Sequence, residues 1–187
     1  MINLPDDPLL AAPRLLGSTL TRKTANGIIR VKIVETESYA QNDPASHSYA
    51  GQTQRNIVMF GSSGILYVYF TYGMHFCMNV VTGKAGNGQA VLIRAAEPLD
   101  GLEIIRKNRP GIITDVCLTN GPAKLTQALA IDMSFNGHDL RQEQVTLDMH
   151  EPLDRNLITV SKRIGIKKNA DLPARFFINS NPFVSRP

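Results

Sequence analysis

Glu35, Glu37 and Tyr39 fall at every second position of the run VETESY. On a β-strand this spacing projects two carboxylates and a phenol from one face, while Val34, Thr36 and Ser38 take the other. A carboxylate held beside a substrate can act as a general base and activate water. Two carboxylates can also share acid and base work across a glycosidic bond, as in sugar hydrolases. Neighbouring positions on one strand put both acids on the same side of any ligand. That suits one working acid and one structural acid better than a flanking pair, but it does not say which acid works. A solvated strand face, with each acid paired to a Lys or Arg, is equally compatible with the spacing.

A second concentration of reactive side chains lies in residues 66–80, LYVYFTYGMHFCMNV. Three of the five tyrosines in the chain, Tyr67, Tyr69 and Tyr72, are here. Tyr67 and Tyr69 share a strand face, and Tyr72 sits at the YG turn signal between two strands, where no core can cover a ring. Cys77 lies in an apolar strand and reads as a small hydrophobe. With two cysteines and no CxxC or HExxH spacing, the sequence predicts neither a metal site nor a disulfide framework, and no cofactor.

The elements that must carry these residues can be read from turn and cap chemistry. Asp7-Pro8 starts a helix that Pro13 interrupts and Gly17 ends. A strand over 18–23 and a return strand over 28–39 flank Asn26-Gly27, a hairpin pair whose two positions both tolerate positive φ. Residues 41–63 are polar and carry Pro44, Gly51 and Gly61, so they read as a long, functional loop with one helical turn. Strands follow at about 64–71, 75–82 and 89–95, then a helix over Leu99–Arg109. Asn120-Gly121-Pro122 starts another helix with Asn120 as cap. From Val145 onward VTLDM, LITVSKRIGI and RFFINS read as short strands. No repeat, low-complexity tract or linker interrupts this pattern. The expectation is a single α+β domain over residues 1–187.

A chain of 187 residues with 43% hydrophobic and 19% charged residues can bury a full core. Twenty Lys and Arg against 16 acids give a formal charge of +4, which fits a polyanionic partner without requiring one. The first ten residues carry two acids where a secretory signal carries positive charge, and no apolar run is long enough to span a bilayer. A cytoplasmic setting without membrane attachment is expected.

VETESY, Ser46-His47-Ser48, QTQRN, MF, LYVYFTYGMHFCMN, VLIRAAEPLDG and NGPAKLTQALAI resemble, in order and approximate spacing, the alkyladenine (3-methyladenine) DNA glycosylase family. VETE or EPLDG alone is a weak signal. The ordered set covers about residue 5 to about residue 185 and is highly specific. The resemblance implies a mainly antiparallel curved β-sheet with flanking helices and a protruding β-hairpin that inserts into DNA. It implies a monomeric, monofunctional enzyme that hydrolyses the base–deoxyribose bond of damaged purines in double-stranded DNA and leaves an abasic site, acting on nucleoid or nuclear DNA.

The resemblance also assigns residues. Glu37 matches the general base, and Glu35 a flanking acid without a chemical role. Arg94 matches an arginine that helps hold the water, and the main-chain carbonyl of Ile164 a third water ligand. Tyr39 and Tyr69 match the residues that sandwich the flipped base, His47 a histidine at the purine edge, and Asn79 the amide that crowds the exocyclic amino group of normal guanine. Tyr67 receives no role. Tyr72 matches the intercalating wedge that fills the hole left by the flipped base. Gly121, Pro122, Ala123 and Lys124 match a phosphate contact at a helix start. Arg55, Asn56 and the basic cluster Lys162, Arg163, Lys167 and Lys168 are further candidates for backbone contacts, with a solvated charged face the competing reading of the cluster. Departures are a Tyr39–His47 loop one residue shorter than in the best-known members, His75 where an aromatic is common, and Ala123 where a hydroxyl is frequent. A non-cleaving damage-binding protein is the alternative, and Glu37 with Arg94 argues against it. A sugar-processing glycosidase is a third reading, which predicts no binding to duplex DNA.

Overall fold

Alternating side chains and tight turns build one sheet. A computed structural model describes residues 2–71 and 73–185 of the chain. Tyr72, the expected wedge, lies outside the described residues. Strand β1 (Thr19–Thr24) and strand β2 (Gly27–Tyr39) form a hairpin in which Thr24 pairs with Gly27. The turn residues are therefore Ala25 and Asn26, one position earlier than the Asn-Gly signal predicts. Only Gly27 takes a positive φ, 125°, a conformation that glycine tolerates best.

Strands β3 (Leu66–Thr71), β4 (His75–Val81), β5 (Ala90–Asp100), β6 (Val145–Asp148), β7 (Ile158–Ser161) and β8 (Arg175–Ile178) complete a curled antiparallel sheet of order β3-β4-β5-β2-β1-β6. Strand β8 joins β2, and β7 joins β8. Strand β2 is the pivot. Its first half pairs with β1, its second half with β8, and its other edge with β5. Register shifts between Ile33 and Thr36 interrupt the β2–β5 ladder, as bulges do where a sheet bends. The expected 89–95 strand extends to Asp100 because Pro98 and Asp100 pair with Val31 and Arg30 of β2. Helix α2 accordingly begins only at Leu102 and runs Leu102–Asn108.

Helix α1 (Pro8–Leu15) starts as expected. The Asp7 carboxylate accepts a 2.8 Å hydrogen bond from the Leu9 N–H, and Pro8 occupies the first turn. Helix α3 (Val116–Thr119), too short to leave a periodic signal, precedes helix α4 (Pro122–Ala128). Gly121, not Asn120, flanks α4, and the Asn120 side chain accepts from the Lys124 ammonium at 2.7 Å.

Parity sorts the sheet into two faces. Leu66, Val68, Met78, Val80, Val91 and Ile93 face the main core, with Leu15, Leu125 and Leu129. Truncating one of these leucines to alanine costs about 2–5 kcal/mol. The opposite parity carries Tyr67, Tyr69, Asn79 and Arg94, with Glu35, Glu37 and Tyr39 on β2. It is covered by the 40–63 and 162–185 segments rather than by water. Glu35 and Glu37 are fully buried, which excludes the solvated-face reading of the acids. The fold is a single-domain α+β architecture, and no helix among the described residues is long and apolar enough to cross a membrane.

Candidate active site

Strand pairing places Arg175 opposite Glu37, Glu37 opposite Leu92, Leu92 opposite Asn79 and Asn79 opposite Tyr67. Cross-strand partners share a face, so a five-strand row leads from the carboxylate to the tyrosines. Arg94, two positions beyond Leu92, reaches both acids. Its Nε lies 3.1 Å from Glu35 Oε1 and its Nη1 3.2 Å from Glu37 Oε1. Burial alone would lower the Arg94 guanidinium, but Glu37 and Glu35 outweigh it and hold its pKa above the ordinary value.

The two acids differ in how their oxygens are used. A carboxylate offers about four acceptor positions. Among the described residues Glu35 receives four donors: its Oε1 accepts from Arg94 Nε at 3.1 Å, Arg175 Nε at 2.7 Å and the Ser185 hydroxyl at 2.9 Å, and its Oε2 from the Ser185 N–H at 2.7 Å. Glu37 accepts two hydrogen bonds and forms one ion pair. Its Oε1 accepts from the Ile164 N–H at 2.8 Å and faces Arg94, while its Oε2 accepts from the Tyr39 hydroxyl at 2.8 Å. Each acid thus has an Oε2 with a single donor among the described residues, but only for Glu37 is that donor, Tyr39, a residue that lines the aromatic pocket. Ile164 meets Glu37 through its N–H, the donor a buried anionic oxygen needs, a contact additional to the water ligation expected of its carbonyl. Burial and then the Glu37 charge push the Tyr39 phenol up, so it keeps its proton and donates.

Tyr39, Ala45, His47, Met59, Tyr67, Tyr69, Asn79 and Ile166 line a pocket holding about 380 Å3 of empty space, its open mouth included. Glu37 lies behind this wall, one hydroxyl back from the Tyr39 edge. Tyr67 and Tyr69 stack at 5.6 Å with an interplanar angle of 29°, and the His47 ring meets Tyr69 edge-on at 4.5 Å. Tyr69 pairs across the strands with Cys77, and burial pushes the Tyr69 phenol up. Burial pushes the Cys77 thiol up as well. The Asn79 amide nitrogen donates to the Tyr67 carbonyl at 3.0 Å, fixing the amide's orientation.

Tyr67, given no role by sequence reasoning, is the anchor of His47. Its hydroxyl lies 3.0 Å from His47 Nδ1, and it is 1% exposed. Burial pushes the Tyr67 phenol up to about 12. Its shared parity with Tyr69 and Asn79 was the available signal. His47 keeps an exposed edge at the pocket mouth, yet enclosure of its ring, with Arg55 nearby, lowers its pKa below the ordinary value.

The expected DNA-contacting residues divide. Arg55 is exposed on the loop beside His47, and Lys167 and Lys168 are exposed. Lys162 is exposed but paired to Asp171 at 2.6 Å. Asn56 is a buried strut: its amide nitrogen donates to the His47 carbonyl at 2.9 Å and the Gly51 carbonyl at 3.0 Å, and its Oδ1 accepts from the Thr53 N–H at 2.6 Å. Arg163 is likewise internal, ion-paired with Asp43 and closed off from any phosphate. Sequence grouped it with its basic neighbours, and only tertiary pairing separates it from them. Gly121 is buried and Lys124 half-buried at the start of α4.

A family model described as methylpurine-DNA glycosylase matches residues 3–182. A protein of Carboxydothermus hydrogenoformans, provisionally named a 3-methyladenine DNA glycosylase, is 51% identical over 181 residues, covering 96% of this chain and 94% of that protein. One from Francisella tularensis subsp. tularensis with the same provisional name is 48% identical over 180 residues, covering 94% of this chain and 92% of its own. A match of that extent, carried through the strands that hold both acids and the tyrosine pocket, settles the kinship: the chain belongs to the methylpurine-DNA glycosylase family.

Proposed function

We propose that the chain excises alkylated purines from duplex DNA in base-excision repair, hydrolysing the N-glycosidic bond and leaving an abasic site. The damaged nucleotide rotates out of the stack, because no carboxylate can reach a base within the duplex. Its base enters the pocket between Tyr39 on one side and His47 with Tyr69 on the other. Stacking of this kind contributes about 1–3 kcal/mol per base, and a cationic base gains further from the ring quadrupoles. The Asn79 amide crowds the amino group of a normal guanine.

The observation that carries this reading is the placement of Glu37 Oε2, buried with the pocket-lining Tyr39 as its single donor among the described residues, in a carboxylate backed by Arg94. A water there gives its proton to Glu37 as its oxygen bonds the anomeric carbon of the deoxyribose. The glycosidic electron pair leaves with the purine, which departs neutral if it carried an alkyl cation. The Glu37 charge also stabilises the oxocarbenium ion that develops. Glu35, bound by Arg94, Arg175 and Ser185 and by no residue that lines the pocket, holds Arg94 and the C-terminal segment.

No lysine lines the pocket among the described residues, and a lyase step needs an amine nucleophile, so the reading is monofunctional. It gives no role to a metal or a cofactor and takes the enzyme as a cytoplasmic monomer. Tyr72 would fill the gap in the stack. Arg55, Lys124 with Gly121 at the start of α4, Lys167 and Lys168 would meet phosphates. The test is incubation with duplex oligonucleotides carrying 3-methyladenine, 7-methylguanine, hypoxanthine or ethenoadenine, followed by alkali. Strand breaks at an alkylated purine that require the alkali are expected. Breaks without alkali would contradict the monofunctional assignment, and no break at any lesion would contradict the function.

A further inference from the structure

The Arg163 side chain is fully buried without lining the pocket. Its guanidinium lies over the Tyr39 ring, 4.7 Å from the centroid. Tyr39 lines the pocket and the buried Arg163 does not, an arrangement in which the ring separates the guanidinium from the pocket. The cation is held by three elements. It is ion-paired with Asp43, donates to the Ser38 carbonyl at 3.1 Å and reaches the Asn169 carbonyl at 3.4 Å. Asp43 in turn accepts from the Ala45 N–H at 3.0 Å and the Asn169 amide at 3.2 Å. Ile164, next in sequence, places its N–H on Glu37, and Ile166 lines the pocket.

We infer that the buried Arg163–Asp43 pair is a specificity-determining support of the pocket: a fixed cation behind Tyr39 that narrows the enzyme's preference between cationic and neutral bases. The inference rests on the function proposed above. A ring attracts cations to both faces through one quadrupole. The 4.7 Å separation on one side and a van der Waals contact of about 3.5 Å on the other put guanidinium and base some 8 Å apart with no water between them. Two positive charges so placed repel each other, and both polarise the same π density. A neutral base pays no such penalty. Asp43 offsets part of the Arg163 charge through one guanidinium nitrogen, Nη1, while the guanidinium carbon itself lies over the ring. The same pair anchors the 162–169 segment, making Arg163 and Asp43 positioning residues for the Ile164 N–H as well.

The two roles separate experimentally. Loss of positioning weakens every lesion alike, whereas loss of the cation changes the ratio between lesions. The measurement is competition binding to duplexes that differ only in one base, 7-methylguanine or hypoxanthine, each relative to undamaged duplex. It is made on the cleavage-inactive Glu37→Gln background. Arg163→Met combined with Asp43→Asn removes both charges together and leaves no unpaired buried ion. We expect it to raise the preference for 7-methylguanine over hypoxanthine by about three- to tenfold. Arg163→Lys, which keeps the charge, retains the parental ratio even if both affinities fall. A ratio unchanged within twofold in the double variant would overturn the inference and leave the function intact. If the parental protein prefers neither lesion over undamaged duplex, the function and the inference fall together.

Discussion

Replacing Glu35 with glutamine separates the structural acid from the working one. Glu35 is fully buried and accepts from Arg94, Arg175 and both donor groups of Ser185 at 2.7–3.1 Å. A glutamine of the same shape removes the charge and turns an amide N–H2 toward at least one of these donors. Arg94 retains Glu37, but two buried guanidinium groups lose the anion between them. Breaking a buried pair from one side costs about 3–5 kcal/mol. For a domain of this size each kcal/mol lowers the melting temperature by roughly 2–4 °C, so a fall of roughly 6–20 °C is expected. Circular dichroism melting gives the first number, and single-turnover excision of 3-methyladenine at a temperature well below both midpoints gives the second. Excision should fall by less than about tenfold, because Glu37, Tyr39 and the Ile164 N–H are untouched. A melting temperature lowered by less than about 3 °C would refute the structural role. A loss of excision as large as that from changing Glu37 would refute the division of labour.

Three further outcomes follow from the same geometry. Tyr67→Phe removes the hydroxyl on His47 Nδ1, a bond worth about 0.5–1.5 kcal/mol, so lesion excision should slow by about three- to tenfold; an unchanged rate would show that His47 needs no anchor. His47 has a folded-state pKa below its unfolded value, so it stays neutral above about pH 6.5, and the unfolded chain takes up the proton first as pH falls. Its share of stability is therefore lost below about pH 6.5, until the folded ring also protonates. Arg55→Gln should move the His47 imidazole titration upward by NMR, and an unmoved titration would remove Arg55 from the pocket's field. Tyr72→Ala should weaken flipping and excision on duplex substrate on the order of tenfold or more while leaving the melting curve in place; equal rates would count against the wedge.

Much of the site was legible in two-residue spacing. Glu35, Glu37 and Tyr39, and likewise Tyr67 and Tyr69, fall on one face because strand parity is a local property that tertiary packing rarely overrides. What parity could not supply is the number of donors each acid meets. Those donors come from Arg94 on β5, Arg175 on β8, the Ile164 N–H and Ser185, segments 57 to 150 residues away in sequence. Choosing Glu37 over Glu35 therefore needed the family resemblance, and the proposed assignment is supported by Glu37 alone bonding a pocket-lining residue, Tyr39. Asn56 and Arg163 illustrate the opposite limit. Both are polar residues in polar runs and read as surface, yet each is buried because its partners, backbone carbonyls and Asp43, lie in the long loop whose path no local signal specifies. The Asn26-Gly27 turn missed by one residue for a related reason: pairing of Thr24 with Gly27 set the closure, and Gly27 followed the turn rather than forming its second position.

The central claim is that Glu37 aims and deprotonates the attacking water. The direct test is single-turnover excision of 3-methyladenine by Glu37→Gln, alongside its binding to the same lesion duplex. Loss of a general base and of the adjacent charge predicts a rate lower by about a thousandfold or more, with affinity for the lesion duplex kept within a few-fold. Excision within tenfold of the parent, with binding intact, would contradict the account.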